Sequence, residues 1–431
     1  MSKPALEQWL QRLESIHPKE IELGLGRVSE VAAELQLLPL EQPVVTVAGT
    51  NGKGSTVAVL EALLHERGRT TGVFTSPHLL RFNERIRVAG TEVSDGEIVT
   101  AFEAVEGARG EISLTYFEFA TLAALLVFQA RQPDIVILEV GLGGRLDSVN
   151  IVDPQVAVIT SVDLDHQAWL GQTRGEIAVE KAGIVRRARP LVIADPAPPE
   201  ELLACAVRAG AEPVLALGRD FTVTGRAGEW QGTLWQAGGP PRQLPWQTSG
   251  SLLPVNICAA LQVALLLGED FTEVELDRAL ATAPPRGRRE WWCSRGREYV
   301  LDVAHNPAAV NKLLDFINVT PCKRRTIALF SAMADKDLRA MIQAAAGTFE
   351  AWFLADQPDN ARAATAADVA ALLREEGEHT ISVSKNIRQA LRRAQRVLAE
   401  GDRLVVFGSF YTVAGVLPQL DRDRTAGEVG S

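Results

Sequence analysis

The segment VTVAGTNGKGST occupies residues 45–56 and lies between an apolar, strand-like run and the helical pattern STVAVLEALLHERG. Its glycines allow close approach of a ligand, Lys53 adds a positive charge, and Ser55 is placed to cap the helix. A helix that begins beside such a loop can bind an anion with its first N–H groups. The common pattern G-x-x-x-x-G-K-[ST] is not matched, because Gly54 follows Lys53. From the strand–loop–helix context and Lys53 we predict a phosphate-binding loop of another kind, against the alternative of a glycine-rich turn without a ligand.

Apolar, β-branched runs alternate with helical patterns on both sides of this loop. Runs of this kind are typical of strands that are buried on both faces of a parallel sheet. The alternation predicts an α/β fold with a doubly wound N-terminal domain. The predicted strands cover residues 43–49, 70–76, 134–140, 156–162 and 190–195.

The second half of the chain predicts a further domain. Residues 220–248 alternate like short antiparallel strands, which indicates a small β excursion on the first domain. The segment APPRG then reads as a linker, and a strand–helix rhythm restarts after it, as in a smaller Rossmann-like α/β domain. We expect an N-terminal domain at 1–286, a C-terminal domain at 287–422 and a flexible tail at 423–431.

Composition limits the classes of partner. The chain has 431 residues with 44 basic and 54 acidic side chains, a net charge of −10, which argues against nucleic acid or a membrane surface as the main partner. We see no secretory leader and no apolar run of membrane-spanning length, and we expect a cytoplasmic protein. The cysteines lack C-x-x-C spacing and so predict neither zinc nor a redox dithiol; they are Cys205, Cys258, Cys293 and Cys322.

Three polar residues stand where predicted strands end. Ser76 follows one strand, Glu139 ends another, and His166 comes soon after a third. Ligands of open parallel sheets bind at the carboxyl ends of the strands, so these side chains are expected to converge beside the phosphate loop and hold Mg²⁺. Taken singly, the serine before Pro77 reads as a turn and the histidine as a structural hydrogen-bonding group.

The segment GLGGR, residues 141–145, resembles part of a dinucleotide fingerprint but lacks the later glycine. We favour a close-packed loop beside the substrate.

The C-terminal domain carries a second candidate cluster in LDVAHNP, residues 301–307. Asp302 and His305 flank the end of a predicted strand, Asn306 is placed to cap the next helix, and Pro307 suits its first position. Such an Asp–His pair can hold an amine or a polar side chain, although a satisfied turn network would look the same. Elsewhere, Lys336 reads as a solvated charge, and Arg288 either faces an interdomain cleft or lies on the surface.

Several motifs in fixed order resemble those of the folylpolyglutamate synthases, in particular the bifunctional bacterial type that also has dihydrofolate synthase activity and that belongs with the Mur ligases. The resemblance covers about residues 20–417. Its motifs are GTNGKGS, TSPHLLRFNERIR, LEVGLGGRLDSVN, SVDLDHQAWLG, EKAGI, DVAHNP and GSFYTVAGVL.

This resemblance implies an ATP-dependent amide ligase. ATP would phosphorylate a carboxylate of dihydropteroate or of a reduced folate, and the amine of L-glutamate would attack the acyl phosphate, with release of ADP and phosphate. Two alternatives stay open: a Mur-type peptidoglycan ligase, and a nucleotide-switch protein without ligase chemistry. The folate-type segment TSPHLLRFNERI argues against the first, and the lack of an N-K-x-D motif argues against the second.

The resemblance also implies roles for individual residues. Catalysis would depend on Lys53, Lys181, Asp302 and His305. The metal ligands, for two Mg²⁺ ions, would be Ser76, Glu139, His166 and Lys181 as a carbamate. ATP would contact Gly49, Thr50, Asn51, Gly52, Lys53, Gly54, Ser55, Thr56, Asn256, Arg288 and Asp302. Folate would contact Ser76, Pro77, His78, Arg81, Phe117 and Gly143, and glutamate would contact His305, Asn306 and Ser409. The family suggests a monomer whose partners are these small molecules.

Overall fold

The computed structural model describes residues 5–17, 21–226, 228–248 and 250–428. The chain divides into two compact units. The first consists of Met1–Ser249 with Leu253–Ala283, and the second of Gly250–Leu252 with Pro284–Ser431.

The first unit contains helices on both faces of a large sheet. Its helices are α1 (Ala5–Ile16), α2 (Gly26–Glu34), α3 (Lys53–Glu66), α4 (Asp95–Arg109), α5 (Tyr116–Arg131), α6 (Gln167–Leu170), α7 (Arg174–Lys181), α8 (Glu200–Ala209), α9 (Pro254–Leu266) and α10 (Glu273–Thr282). Its strands are β1 (Val44–Ala48), β2 (Thr71–Phe74), β3 (Ile86–Val88), β4 (Thr91–Glu92), β5 (Ile135–Glu139), β6 (Val156–Ile159), β7 (Leu191–Ile193), β8 (Val214–Ala216), β9 (Thr222–Arg226), β10 (Glu229–Leu234) and β11 (Arg242–Gln247). Short 3-10 helices cover Phe82–Arg85, Ser148–Ile151 and Ala182–Ile184.

In the described residues, the large sheet has the strand order β4-β3-β2-β5-β1-β6-β7-β8. The strands from β2 to β8 in this order run parallel, and β3 and β4 are antiparallel at one edge. Every residue of β1, β5 and β6 is buried, which explains their continuous apolar character. This confirms the predicted doubly wound α/β fold and places the carboxyl ends of β1, β2, β5 and β6 along one edge.

The β excursion is also confirmed. Strands β9, β10 and β11 form an antiparallel three-stranded sheet. Helix α9 follows it and contacts β10. Residues 256–264 of α9 are all buried, as expected of a helix that is apolar on all sides. Helix α9 also packs on α3, the helix that follows the glycine-rich loop.

The second unit repeats the pattern on a smaller scale. Its strands are β12 (Glu290–Ser294), β13 (Arg297–Leu301), β14 (Thr326–Phe330), β15 (Ala351–Ala355), β16 (Ile381–Ser384) and β17 (Arg403–Phe407). Its helices are α11 (Pro307–Val319), α12 (Leu338–Ala345), α13 (Ala366–Glu375), α14 (Ile387–Val397) and α15 (Phe410–Glu428). The strand order is β12-β13-β17-β14-β15-β16, parallel except for β12. The predicted Rossmann-like α/β unit is thereby confirmed.

Helix α15 runs to Glu428, so residues 423–428 of the predicted flexible tail continue a helix, and residues 429–431 lie outside the described residues. Within the described ranges, no helix combines the length and apolar character that crossing a membrane requires.

Candidate active site

The glycine-rich loop connects the buried central strand β1 to helix α3. The helix begins at Lys53, with Gly52 as its N-cap at φ 91°. The prediction that Ser55 caps the helix was wrong, because the helix starts two residues earlier and Ser55 is buried in its first turn. Since glycine has no side chain with which to cap, the first N–H groups of α3 are left for an anion.

Close contacts explain two glycines of this loop. A Cβ atom on Gly49, where φ is 150°, would lie 1.9 Å from Oγ1 of Thr160, and a Cβ on Gly52 would lie 2.7 Å from Oδ1 of Asn256. Any larger residue would displace its neighbour or the backbone. The second contact also places Asn256, a predicted ATP contact on α9, directly against the loop.

Lys53 folds back over the loop. Its Nζ donates to the carbonyl oxygens of Gly49 at 2.9 Å and Thr50 at 3.3 Å. The ammonium group is thus held beside the backbone that a phosphate would approach, which supports the predicted role of Lys53 as a fixed positive charge.

The segment that follows β6 braces the loop. The N–H of Thr50 donates to the carbonyl oxygen of Ser161 at 2.8 Å, and its hydroxyl accepts from the N–H of Asp163 at 3.0 Å. The N–H of Asn51 donates to Oγ of Ser161, and Oγ1 of Thr160 donates to the carbonyl oxygen of Asn51 at 2.7 Å. Sequence reasoning missed Thr160 and Ser161, although their position directly after β6, beside β1, was a usable signal.

Two of the four predicted metal ligands, Glu139 and Ser76, are in contact. Glu139 ends β5 and is 2% exposed, and its Oε2 accepts from the N–H of Ser76, which follows the neighbouring strand β2, at 3.2 Å. His166 precedes α6 with φ 51°, and its Nε2 lies 3.9 Å from Oδ1 of Asp165. In the described part of the chain, no group of three His, Cys, Asp or Glu side chains is arranged to hold a metal.

This donor set fits Mg²⁺ better than a metal that needs a complete protein cage. Mg²⁺ usually keeps several waters and takes one or two carboxylates together with phosphate oxygens from the substrate. A buried carboxylate with a serine beside it, at the same sheet edge as the phosphate loop, supplies the protein's share of such a site.

Lys181 ends α7 and is 3% exposed. Burial is the main cause that lowers its pKa to about 7, and the charge of Lys53 lowers it further, whereas Asp165 and Asp147 oppose the shift. A large fraction of this amine is therefore neutral near pH 7. The electrostatic coupling also shows that Lys181 lies within reach of the charge on the phosphate-loop lysine.

Asp147 is a further member of this group that sequence reasoning missed. Its carboxylate accepts from the N–H groups of Leu142 at 2.8 Å and Val149 at 3.1 Å. Burial raises its pKa to about 6 in spite of these hydrogen bonds and the charge of Lys53. Asp147 therefore holds the GLGGR loop and adds negative charge near Lys181.

The GLGGR loop is close-packed, as we favoured. A Cβ on Gly144 would lie 2.9 Å from the carbonyl oxygen of Lys181, and a Cβ on Gly141 would lie 2.6 Å from the ring of Phe117. Gly143 has φ 71°. The ring of Phe117 is half-buried and lies 5.6 Å from that of Phe74, so this predicted pterin contact belongs to the wall beside the loop.

The SPHLLR segment is organised by Glu84, which the sequence did not single out. Its carboxylate accepts from the N–H groups of residues 79, 80 and 81. His78 accepts at Nδ1 from Arg85 at 2.8 Å, and burial together with the arginine charge lowers its pKa to about 4. His78 is therefore neutral near pH 7. Arg81 is largely exposed and lies 3.4 Å from Asp95.

In the second unit, Asp302 follows β13. Its carboxylate accepts from the N–H groups of Ala304 at 2.7 Å and Arg289 at 2.9 Å. Burial raises its pKa, which the positive charge of Arg289 partly offsets. His305 lies with Nδ1 2.9 Å from the carbonyl oxygen of Val303; a carbonyl can only accept, so Nδ1 carries the proton.

The start of α11 matches the prediction. Asn306 is its N-cap and accepts from the N–H of Ala309 at 2.9 Å, and Pro307 is the first helical residue.

Residues that follow the neighbouring strand β17 complete this cluster. The guanidinium of Arg288 lies 5.7 Å from the ring centre of Phe410, and the ring of His305 lies 6.0 Å from it. Ser409 is 3% exposed, and its hydroxyl lies 2.7 Å from that of Thr412 and accepts from the N–H of Thr412. Lys336, predicted to be a solvated charge, is only half-exposed.

The comparisons with known proteins agree with this geometry. Residues 47–197 match the family model of the Mur ligase middle domain, and residues 287–410 match that of the Mur ligase glutamate ligase domain. A nucleotide-loop sheet followed by a smaller α/β unit thus defines a Mur-type ligase.

Relatives and solved structures narrow this class. The chain is 39% identical to the dihydrofolate synthase/folylpolyglutamate synthase of Escherichia coli K12, over 98% of this chain and 97% of that protein. It is 36% identical to the enzyme of the same name from Haemophilus influenzae, over 95% and 96%. A structure of E. coli FolC in complex with DHPP and ADP superposes with a TM-score of 0.91 at 37% identity, covering 98% of this chain and 100% of the other. A bifunctional folylpolyglutamate synthase/dihydrofolate synthase with Mn, AMPPNP and L-glutamate bound gives 0.86 at 36% identity, covering 98% and 100%. The chain belongs to the dihydrofolate synthase/folylpolyglutamate synthase family.

Proposed function

We propose that this protein is an ATP-dependent ligase that adds L-glutamate to dihydropteroate and to the terminal glutamate of reduced folates. The observation that carries the proposal is the edge of the first sheet, where a braced phosphate loop with Lys53 lies close to Glu139, Ser76 and the buried Lys181. Relatives that match nearly the whole chain carry both activities in their names. The peptidoglycan-ligase and switch alternatives gain no support from any contact described above.

The loop explains why ATP is needed and how it is used. A carboxylate is a poor electrophile until it is converted to an acyl phosphate, and that transfer depends mainly on positioning and neutralisation of charge. The N–H groups at the start of α3 and the ammonium group of Lys53 would hold the polyphosphate, and Asn256 would contact the nucleotide from α9. The remaining loop residues predicted to bind ATP lie within the same strand–loop–helix segment.

Mg²⁺ would offset negative charge on the transferred phosphoryl group when bound. Glu139 and Ser76 are our candidates for its ligands, because Gly54 stands where a Ser or Thr supplies the hydroxyl in the common loop. A second ion near His166 and Lys181 is part of the proposal, and relatives with Mn and AMPPNP bound show that this family takes a divalent metal.

Lys181 has the properties that carbamylation requires. The neutral amine attacks carbon dioxide and loses a proton to give an anionic carbamate, and burial lowers the pKa of this amine to about 7. The carbamate would replace a disfavoured buried cation by an anion near Lys53. Carbon NMR with labelled bicarbonate tests this: a carbamate signal in the wild type that is lost in Lys181→Met supports it, and equal spectra contradict it.

In the second unit, we propose that Asp302, His305 and Asn306 receive glutamate. The hydrogen bond between Nδ1 of His305 and the carbonyl oxygen of Val303 fixes the orientation of the imidazole ring in this cluster. The hydroxyl of Ser409 is hydrogen-bonded to Thr412. We therefore propose that Ser409 holds the start of α15 in place beside this cluster. Arg288, stacked near Phe410, would contribute positive charge to ATP.

The folate side of the proposal rests on the first unit. Phe117 would offer an aromatic face to the pterin, and neutral His78 would offer a hydrogen bond. Pro77, Arg81 and Gly143 would line the same region. We also propose a cytoplasmic monomer and a functional domain boundary between residues 286 and 287, which the family match beginning at residue 287 supports.

The test is an acceptor panel. Purified protein with ATP, Mg²⁺ and L-glutamate should release ADP when 7,8-dihydropteroate is added and also when tetrahydrofolate is added. Each product should be heavier by one glutamyl residue. Absence of ADP release that depends on both acceptor and glutamate would overturn the proposal.

A further inference from the structure

A concave, basic surface lies along helix α14 of the second unit. It encloses about 460 Å³ and is lined by Lys385, Asn386, Gln389, Arg392, Arg393 and Arg396. We call it the basic cleft. Four of its six lining residues are cationic and none is acidic, in a chain whose net charge is −10.

The charges of the basic cleft are not compensated within the described residues. The side chains of Lys385, Arg392 and Arg396 are exposed and make neither an ion pair nor a hydrogen bond there. Arg393 donates to the carbonyl oxygen of Val383 at 2.6 Å, not to a carboxylate. Several other exposed arginines of this unit pair with carboxylates, for example Arg339 with Glu375.

The arrangement of these arginines is unfavourable for the helix itself. Arg388, Arg392 and Arg396 follow one another at four-residue spacing on α14, and like charges at this spacing destabilise a helix. Solvated helix faces normally mix both signs of charge. A row of one sign that the fold does not neutralise indicates an anionic ligand, and the planar guanidinium groups suit carboxylates, which they bind in a bidentate manner.

A second, larger pocket adjoins the basic cleft and shares Asn386 and Arg392 with it. It encloses about 600 Å³, and its lining is mixed: Tyr411, which is 60% exposed, and Ile387 are apolar, while Gln357, Asp359 and Asn360 are polar. We call it the adjoining pocket. Its surface therefore suits a ligand that has methylene groups and amide N–H groups as well as carboxylates, whereas a polyphosphate would gain nothing from the apolar and acidic side chains.

Both cavities lie at the same sheet edge as the proposed glutamate residues. The carboxyl ends of the parallel strands follow the order β13, β17, β14, β15 and β16. His305 follows β13, Ser409 follows β17, and Asn386 follows β16. With neighbouring strands about 4.8 Å apart, the distance from β17 to β16 is about 14 Å. An extended chain can span this distance along one side of the sheet.

We propose that the basic cleft and the adjoining pocket form a subsite for an oligo-γ-glutamate chain, which carries one carboxylate, two methylene groups and an amide in each unit. This inference rests on the proposed function, since that reaction both uses and makes such chains. The carboxylates would bind the arginines of the basic cleft, and the methylene and amide groups would occupy the adjoining pocket.

The test is a direct titration of fluorescently labelled γ-linked tetraglutamate, without ATP or a pterin, at low salt. Wild type should bind it, and Arg392→Gln/Arg396→Gln should weaken binding by about tenfold or more, the effect of losing charge-assisted hydrogen bonds. Arg374→Gln is the matched control, because Arg374 is exposed on α13 of the same unit and lines neither cavity. It should bind as wild type does, and circular dichroism should show equal folding of all three proteins.

Three results would overturn the inference: no binding by wild type, equal binding by the double variant, or stronger competition by inorganic tripolyphosphate than by unlabelled tetraglutamate. The acceptor panel on the same preparation separates the two proposals. If the enzyme is active but does not bind tetraglutamate, only the subsite proposal is contradicted. If it is inactive in the acceptor panel, the proposed function is contradicted. In an active enzyme, the double variant should also raise the KM for a tetraglutamyl folate relative to that for a monoglutamyl folate.

Discussion

Replacement of Gly52 by alanine tests whether the phosphate loop and Asn256 form one unit. Gly52 has φ 91°, and an added Cβ would lie 2.7 Å from Oδ1 of Asn256. Gly68, at the other end of α3, has φ 72° with no heavy atom within 4 Å of an added Cβ. Gly68→Ala is thus the matched control, because both substitutions carry the backbone cost of a positive φ, about 1–2 kcal/mol, and the same change in the unfolded chain.

The two variants should differ in unfolding free energy, because only the methyl group of Gly52→Ala collides with Asn256. Forcing that side chain from its rotamer costs about 0.5–1.5 kcal/mol, so Gly52→Ala should lose about 1.5–3.5 kcal/mol in unfolding free energy and Gly68→Ala about 1–2 kcal/mol. Gly52→Ala should also raise the KM for ATP by about tenfold or more, because the methyl group and the displaced amide occupy the approach to the loop. Gly68→Ala should leave this KM unchanged.

Denaturant unfolding and ATP saturation curves measure both effects. In an Asn256→Ala background, the stability cost of Gly52→Ala should fall to that of Gly68→Ala, because the displaced side chain is gone. The reasoning is refuted if Gly52→Ala and Gly68→Ala are equal in both stability and ATP saturation.

The remaining predictions concern three charged or titrating groups. Lys53→Ala should lower kcat by about a hundredfold or more while leaving the unfolding midpoint close to that of wild type, since it removes a charge aimed at phosphate; a near-normal kcat in a steady-state ADP-release assay would contradict this role. Burial lowers the pKa of Lys181 to about 7 in the folded state, against about 10.4 in the unfolded chain. The unfolded state therefore binds more protons between these values, so in CO₂-free buffer wild type should gain stability relative to Lys181→Met as pH rises from 7 to 10, and lose it as pH falls toward 7. Parallel denaturation curves with no pH trend between the two proteins would exclude a buried neutral amine. His305→Ala should raise the KM for glutamate with little change in that for ATP, measured in separate saturation series; the opposite pattern would assign His305 to the nucleotide.

The fold was predictable because its decisive signals are local. Strands buried on both faces leave continuous apolar runs, which is why β1, β5 and β6 were found near their observed bounds. Asn306 and Pro307 obey helix-start rules that act within a few residues. The capping prediction for Ser55 was wrong because it used the same local signal. A serine beside a helical pattern resembles an N-cap even when the helix begins two residues before it, as it does here.

The parts of the site that escaped prediction arise from contacts that are distant in the chain. Thr160 and Ser161 matter because β6 pairs with β1, and Glu84 because its carboxylate reaches back to three N–H groups of the preceding loop. Asp147 is an ordinary residue in sequence, and burial in the fold raises its pKa to about 6. Arg392, Arg393 and Arg396 are visible in IRQALRRAQRV, but only the fold shows that they line one cleft with Lys385 and without a carboxylate.

The central claim is that ATP is used to make an acyl phosphate at the acceptor carboxylate. The most direct measurement is a turnover experiment with dihydropteroate whose carboxylate carries heavy oxygen, followed by mass analysis of the released inorganic phosphate. Because the carboxylate oxygen that bonds to phosphorus leaves with the phosphate, each turnover should transfer one labelled oxygen to phosphate. Phosphate that is free of label, in a reaction that forms the glutamyl product, would contradict the account.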